Sequence, residues 1–189
     1  MDIVIMHGTE GSPEGNWFPW LKKEMEAAGH DVYVPRFPTP ENQNMQSWCK
    51  VLREETPIYG ENTILIGHSA GAAYMLRLLE VLGISSDGEL DQKVAKSIFV
   101  SGFFEKLGNE YYDNLNSDFI EHEFNWDRIK MNMGIASVFH GDNDLYVPLS
   151  AAENLGENLG VPVTVIPNGG HLNTESGYTK FPEILKVLI

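Results

Sequence analysis

The sequence predicts an α/β fold in which a mostly parallel sheet of about six strands lies between helices on both faces. Short runs of strand-forming residues alternate along the chain with longer segments of helical spacing, which is the pattern of repeated β–α–β units. Several strand runs are apolar at consecutive positions, which indicates that both faces of the sheet are buried. Alternation and two-sided burial together favour a parallel sheet covered on both sides.

Six strands and five helices are expected from the local patterns. The strands are predicted at 2–6, 31–34, 62–66, 96–101, 135–140 and 162–166. The helices are predicted near 16–28, 43–54, 70–82, 149–159 and 177–188. In the last of these, Phe181, Ile184, Leu185 and Leu188 have the spacing of a helix that packs with one face.

The 189 residues are expected to form one domain, 1–189, which is long enough to bury its own core. One segment, 103–127, departs from the alternation because it is aromatic and acidic where a plain crossover helix would be expected. An irregular insert of this kind either covers a functional site or is a structural excursion. The sequence leaves both alternatives open.

The composition narrows the class of protein. A formal net charge of −14 argues against nucleic acid or an anionic membrane as a partner, because phosphate binding needs clustered Lys and Arg. The single cysteine, Cys49, excludes an internal disulfide and a metal site with several cysteine ligands. No apolar run has membrane-spanning length, and the opening MDIVIMHG is a strand without signal-peptide features. We expect a cytoplasmic protein, monomeric or a small homo-oligomer, that needs no metal or cofactor.

The stretch ILIGHSAGAA at 64–73 carries the strongest functional motif. Its Gly-x-Ser-x-Gly pattern, with Ser69 at the centre, lies between a predicted strand and a predicted helix, the arrangement called the nucleophile elbow. Small neighbours let strand and helix approach, and the turn places the hydroxyl at a helix N-terminus, which favours developing negative charge. Ser69 is therefore the expected nucleophile; the alternative is a tight turn that carries a serine.

A serine hydroxyl is a weak nucleophile at neutral pH and needs a positioned base. Of the six histidines, His171 is chosen because it stands in the loop NGGHLN between the last strand and the last helix. That loop lies above the carboxyl ends of the strands, and its adjacent glycines let it turn tightly. His140 is the competitor, but its place at the end of a buried strand favours a packing role.

The acid that orients the histidine is expected between Ser69 and His171 in chain order. The segment GDNDLYVP, after the fifth strand, offers Asp142 and Asp144. Asp144 is preferred because it lies at the far side of a turn, whereas Asp142 is placed to accept from local backbone N–H groups. A calcium loop is discounted because the Gly and closing Glu of that pattern are missing.

Two backbone N–H groups are expected to form an oxyanion hole. One belongs to Ala70, directly after the nucleophile, and the other to Thr9, in the loop after the first strand. If the second strand lies outside the first, and the third strand lies on its other side, the strand order reverses between the first and third strands. The loops that leave these two strands then open the crevice in which α/β sheets bind ligands.

These motifs resemble the α/β-hydrolase fold and, more narrowly, the small serine-hydrolase family that includes retinoblastoma-binding protein 9 and its bacterial relatives. The resemblance is carried by HGTEGSPEGNWFPWL (7–21), GHSAGA (67–72), WDRIKMN (126–132), GDNDLYVP (141–148) and GGHLN (169–173). It implies a three-layer α/β-hydrolase domain with the strand order 2-1-3-4-5-6 and a minimal cap, and an esterase-type triad of Ser69, Asp144 and His171. Cys49 lacks the Leu and Glu of the Leu-x-Cys-x-Glu motif, so a retinoblastoma-family partner is not carried over.

The substrate pocket is expected to use aromatic side chains from the loop after the first strand and from the insert. Trp17, His68, Phe103 and Trp126 are the residues expected to line it. Between 105 and 127 the chain has seven acids and one lysine, which would disfavour anionic substrates if the insert overhangs the crevice. A small cap also favours short acyl chains over long lipids.

The sequence therefore predicts a serine hydrolase, a carboxylesterase type that cleaves small uncharged esters through an acyl-enzyme. One alternative is a protein-interaction module on a hydrolase scaffold with incidental turnover, since a fold does not fix a function. Another is an amidase or peptidase that uses the same three residues.

Overall fold

The six predicted strands form one sheet in the order β2-β1-β3-β4-β5-β6, and all five pairings are parallel. The structure is a computed structural model that describes residues 1–56, 59–82 and 93–188. The strands are β1 Asp2–Met6, β2 Asp31–Tyr33, β3 Thr63–His68, β4 Lys96–Val100, β5 Ile135–Gly141 and β6 Val163–Ile166. The predicted strand order and its reversal between β1 and β3 are confirmed.

Helices cover both faces of this sheet. They are α1 Phe18–Ala27, α2 Met45–Glu55, α3 Ala70–Val81, α4 Glu110–Leu115, α5 Ser117–Ile120, α6 Trp126–Asn132, α7 Leu149–Leu159 and α8 Pro182–Leu188. The last helix begins later than predicted: Gly177 has a φ of +88°, and proline suits the first helical turn at Pro182. No helix in the described ranges is long and apolar enough to cross a membrane.

The sheet has a core on each face, as the apolar strand runs predicted. Along β1, Val4 and Met6 belong to one buried cluster, while Ile3 and Ile5 belong to the other. This division follows from the strand geometry, because successive side chains point to opposite faces. The strands are therefore packed on both faces, and the loops that carry the site residues start from their carboxyl ends.

The insert at 103–127 is more regular than its sequence indicated. It contains α4 and α5 and the start of α6, and the side chains of Asn109 and Asn125 cap the first and last of these helices. Arg77 of α3 anchors it: Nε donates to the Phe119 carbonyl oxygen at 2.9 Å, and the guanidinium lies 3.7 Å from the centre of the Phe124 ring. The insert is thus docked on the helix that follows β3.

Candidate active site

Ser69 lies in a sharp turn between β3 and α3, with a φ of 55° and a ψ of −125°. A positive φ is uncommon for a residue other than glycine, so the surrounding packing must hold this turn. A Cβ at Gly71 would lie 2.2 Å from the Met6 carbonyl oxygen, and one at Gly67 would lie 2.6 Å from the Ala72 Cα. The two glycines of the motif are therefore required by close backbone contact.

Asp144 and His171 form a direct pair at the carboxyl edge of the sheet. His171 Nδ1 donates to Asp144 Oδ2 at 2.7 Å, and the other carboxylate oxygen accepts from the Tyr146 and Val147 amides at 2.8 and 3.1 Å. The Asp144 side chain is fully buried. Burial alone raises the pKa of Asp144, but the hydrogen bonds from His171 and from the two amides outweigh it and hold the pKa below its ordinary value. The carboxylate thus remains ionised beside the imidazole.

The backbone at His171 is held by buried donors from three parts of the chain. His68 Nε2 and Ser101 Oγ both donate to the His171 carbonyl oxygen, at 2.9 and 3.2 Å, and Trp17 Nε1 donates to the Leu172 carbonyl oxygen at 3.0 Å. Burial lowers the pKa of His68 to about 3, with a further contribution from the nearby His171. His68 is therefore neutral near pH 7, and its bond to the carbonyl places the remaining proton on Nε2.

Ser69 and His171 face a common cavity of about 610 Å³. Among the described residues, Ser69 Oγ makes no hydrogen bond; such bonds are often long in enzymes without substrate. Because the Nδ1 proton of His171 is used by Asp144, its Nε2 is the nitrogen available as an acceptor. The arrangement therefore places a serine hydroxyl and a histidine nitrogen that can accept its proton in the same cavity.

The loop after β1 reaches this cavity next to Ser69. A Cβ at Gly8 would lie 2.8 Å from the Ser69 Cβ, so this loop passes directly beside the serine, and Thr9 lines the cavity. Ala70 is the first residue of α3, where the backbone N–H has no partner within the helix. The structure thus places Ala70 next to Ser69 in the chain and Thr9 on the same cavity.

Three of the four side chains expected in the substrate pocket do not line it. Trp17 is fully buried against Phe18 and Phe181, His68 is buried beneath the His171 backbone, and Trp126 packs with other aromatic side chains of the insert. Only Phe103 of the four lines the cavity. The correction has a physical cause: Trp17 and His68 each find a backbone acceptor inside the protein, and Trp126 packs against Phe104 and Phe124.

Several lining residues were missed by the sequence reasoning. Leu145 and Tyr146 directly follow Asp144, and Glu175 lies shortly after His171. Their position beside the two paired residues was a signal that could have found them. Asn116 also lines the cavity, but no local pattern distinguishes it from other asparagines of the insert.

The two competing residues have other roles. His140 is fully buried; its Nε2 donates to the Val147 carbonyl oxygen at 2.9 Å and lies 3.6 Å from Asp144 Oδ2. Burial also lowers the pKa of His140. Asp142 accepts a hydrogen bond from the Asn168 amide at 2.7 Å, so its backbone partner lies in the loop after β6 and not in the local turn that was expected. Within the described part of the chain, no cluster of three or more His, Cys, Asp or Glu residues could hold a metal ion.

Comparison with known proteins places the chain among hydrolases. YdeN of Bacillus subtilis (strain 168) is 28% identical over 186 residues, which cover 98% of this chain and 93% of YdeN. Serine hydrolase RBBP9 of Rattus norvegicus is 24% identical over 188 residues, which cover 98% of this chain and 92% of RBBP9.

Solved structures agree with this placement. The crystal structure of the B. subtilis ydeN gene product superposes with a TM-score of 0.87 over 99% of this chain and 96% of that one. Polyneuridine aldehyde esterase, at 15% identity, matches with a TM-score of 0.62 over 99% of this chain and 97% of that one, a likeness of fold alone. The architecture is therefore the α/β-hydrolase fold.

The sequence model of one family covers almost the whole chain. It is described as serine hydrolase, and it matches residues 3–189. That span contains the turn at Ser69 and the paired Asp144 and His171. The chain belongs to the serine hydrolase family.

Proposed function

We propose that this protein is a carboxylesterase that cleaves small uncharged esters through a Ser69–His171–Asp144 triad. The observation that carries the proposal is the 2.7 Å bond from His171 Nδ1 to the buried Asp144 carboxylate, in a histidine that shares a cavity with Ser69. A carboxylate in this position holds the imidazole tautomer and stabilises the imidazolium that forms during the reaction.

The reaction proceeds in two halves through an acyl-enzyme. Ser69 Oγ attacks the ester carbonyl while His171 Nε2 takes the hydroxyl proton, and the tetrahedral intermediate then collapses as the proton passes to the leaving alcohol. Water enters, gives a proton to His171 and attacks the acyl group. The acid leaves, and Ser69 recovers its proton.

The negative charge that develops on the carbonyl oxygen is stabilised by the N–H groups of Ala70 and Thr9. Both residues flank Ser69: Ala70 begins α3, and Thr9 follows the glycine that contacts the serine Cβ. Oriented backbone donors of this kind contribute strongly because they need no reorganisation during the reaction.

The cavity supports a small, uncharged substrate. Its volume of about 610 Å³ is within the ordinary range for small-molecule sites. Phe103, Leu107 and Val147 provide apolar surface, and the charged residues that line it, Glu10 and Glu175, are both acidic. Carboxylates at the rim disfavour an anionic substrate, and the limited apolar surface favours short acyl chains.

The test is an activity-based label followed by intact-mass measurement. A fluorophosphonate probe is expected to add once to the wild-type protein and not to Ser69→Ala, while Ser117→Ala, which changes a serine outside the cavity, is labelled like the wild type. A folded wild type without an adduct would contradict the proposal. A series of p-nitrophenyl esters is expected to peak at short acyl chains, and a peak at long chains would overturn that part.

An amidase would use the same residues, so substrate alone separates it from an esterase. Paired substrates with the same acyl group, one a p-nitrophenyl ester and one a p-nitroanilide, provide the comparison. We expect the ester to be cleaved much faster relative to its uncatalysed rate. A reversed preference would assign the protein to amide hydrolysis.

A further inference from the structure

Three polar side chains from distant parts of the chain meet behind the loop that follows β1. Gln43 Nε2 lies 2.9 Å from Thr9 Oγ1 and 2.8 Å from Asn116 Oδ1, and Thr9 Oγ1 donates to the same Asn116 oxygen at 2.9 Å. Gln43 precedes α2, and Asn116 joins α4 to α5 in the insert. Each pair of residues is in direct contact, so the three form a closed cluster.

Two of the three members are buried, and the outer atoms of the cluster are also paired. Gln43 is 8% exposed and Asn116 is 3% exposed. Asn116 Nδ2 donates to the Tyr112 carbonyl oxygen at 2.8 Å, and Gln43 Nε2 is also 3.2 Å from the Leu115 carbonyl oxygen. A buried polar network whose members are all satisfied specifies one arrangement, because breaking any bond leaves a polar atom without a partner.

The peptide unit between Gly8 and Thr9 is oriented from its other end. The Gly8 carbonyl oxygen accepts from His7 Nδ1 at 2.9 Å and from the Gly11 amide at 3.0 Å. His7 Nε2 accepts from the Phe37 amide at 3.1 Å, which fixes the tautomer that makes the first bond. Because the N–H of a trans peptide points opposite its carbonyl, these contacts direct the Thr9 N–H away from His7.

The next residue depends on Gln43 as well. Glu10 has a φ of 56°, a conformation that residues other than glycine adopt rarely. Its amide donates to Thr39 Oγ1 at 2.7 Å, and Thr39 Oγ1 donates to Gln43 Oε1 at 2.6 Å. Gln43 thus holds Thr9 directly and Glu10 through Thr39.

We propose that Gln43 and Asn116 are positioning residues for the oxyanion hole. They fix the Thr9 turn beside Ser69, so that the Thr9 N–H is already aimed when charge develops on the substrate. The insert then contributes to transition-state stabilisation through Asn116, besides lining the cavity. This inference rests on the proposed esterase function.

The test replaces Gln43 by methionine, which keeps the length of the side chain and removes its polar atoms. We expect kcat to fall by about 10-fold to 100-fold, since loss of one whole oxyanion donor costs about 10²–10³. KM for a short ester should change less than about threefold, because the interaction acts in the transition state. Gln46→Met, an exposed position on α2, is the matched control and should behave as the wild type.

A transition-state analogue separates positioning from a general structural effect. A trifluoromethyl ketone forms a tetrahedral adduct with the serine, so its inhibition constant should rise by the factor by which kcat/KM falls. Asn116→Ala should produce a similar loss, and the double variant should lose little more than the larger single loss, because both residues act on Thr9. Losses that multiply, or an unchanged ketone affinity, would overturn the proposal.

A second pair of variants covers the case in which Gln43→Met does not fold. Thr9→Val removes Oγ1 and keeps the backbone N–H, whereas Thr9→Ser keeps both, so the first should lose clearly more kcat than the second. Equal activity in the two variants overturns the inference. If the wild type shows no turnover and no ketone binding that depend on Ser69, both the esterase function and this inference are overturned. If the Gln43→Met and Thr9→Val variants keep full activity, only this inference is overturned.

Discussion

The two walls of the cavity differ in how their residues are held. On the strand side, the side chains of Asp144 and His171 are buried, and the buried side chains of His68 and Ser101 donate to the His171 carbonyl oxygen. On the insert side, Tyr112 and Asn109 lie on a six-residue helix and its cap, and neighbouring Tyr111 is 52% exposed. Asn116 connects the insert side to the loop after β1 through its hydrogen bond with Thr9.

We expect this difference to correspond to two roles, the reaction itself on one side of the cavity and the choice of substrate on the other. Groups that must move a proton need a fixed geometry, and a parallel sheet with two cores provides it. Groups that contact the substrate around the reacting bond can vary with less effect on the reaction. Changes on the strand side should therefore affect kcat, and changes at the rim should affect the choice of substrate.

The strongest test of the strand side is Asp144→Asn. Loss of the carboxylate removes the acceptor that holds the His171 tautomer, so we expect kcat to fall by about 10³–10⁴, with KM little changed. Steady-state hydrolysis of a short p-nitrophenyl ester measures it. Asp142→Asn is the control. Asparagine keeps an oxygen that can accept from the Asn168 amide, and residue 142 does not line the cavity, so this variant should stay within about threefold of the wild type. A comparable loss in both variants would break the contrast, since it would place the effect in the loop rather than in the pair.

A smaller effect is expected on the acid stability of the strand side. His68 has a pKa of about 3 in the folded protein against an ordinary 6.5, so protons bind the unfolded chain more readily. The folded state is fully favoured above pH 6.5 and loses this advantage as the pH falls below that value. For this histidine the loss between pH 7.5 and pH 5 is about 2 kcal/mol.

The measurement is urea unfolding of His68→Gln at these two pH values. Glutamine keeps a donor for the His171 carbonyl oxygen and cannot be protonated, so the free energy of unfolding should depend less on pH by about 2 kcal/mol. His122→Gln, the same substitution at an exposed position of the insert, is measured alongside as the control. An unaltered pH dependence in His68→Gln would show that His68 is not a source of the acid sensitivity.

The smallest effect is expected at the rim, where Glu10 and Glu175 accept hydrogen bonds from Tyr111 and Tyr146 at 2.9 and 2.7 Å. The double change to glutamine removes both negative charges, so kcat/KM for an ester with a carboxylate on its acyl chain should rise about 3-fold to 10-fold relative to a neutral ester. The gain should shrink at about 0.5 M salt, because ions screen exposed charges.

A matched pair of changes separates local charge from net charge. Glu24→Gln with Glu157→Gln removes the same charge from positions that do not line the cavity, so it should leave the ratio between the two esters unchanged. An equal rise in both double variants would mean that the whole protein, rather than the rim, discriminates against anions. A fall in kcat for the neutral ester would mean that the rim also contributes to the chemistry.

Much of the strand side was predictable from the sequence. The elbow at Ser69 was visible because its glycines are required by local backbone contact, and Asp144 and His171 follow strands whose ends lie at one edge of a parallel sheet. The full strand order was expected from the resemblance to the α/β-hydrolase fold, and it is consistent with right-handed crossovers between parallel strands.

The insert side was predictable only in outline. Its helices have few residues, so they depend on the caps Asn109 and Asn125 and on docking against Arg77 more than on apolar periodicity. Trp17 and Trp126 were expected in the pocket because both follow predicted site segments. Composition cannot show which way an aromatic side chain points, and each found better packing elsewhere.

The sequence by itself determined the positions of the six strands, the sharp turn at Ser69 and the segments that carry Asp144 and His171, because these features depend on short-range patterns and local backbone constraints. Only the tertiary structure decided which side chains line the cavity and that Gln43 and Asn116, 73 positions apart, meet at Thr9. The reason is that a buried hydrogen bond between distant segments depends on how helices dock on the sheet. No local pattern carries that information.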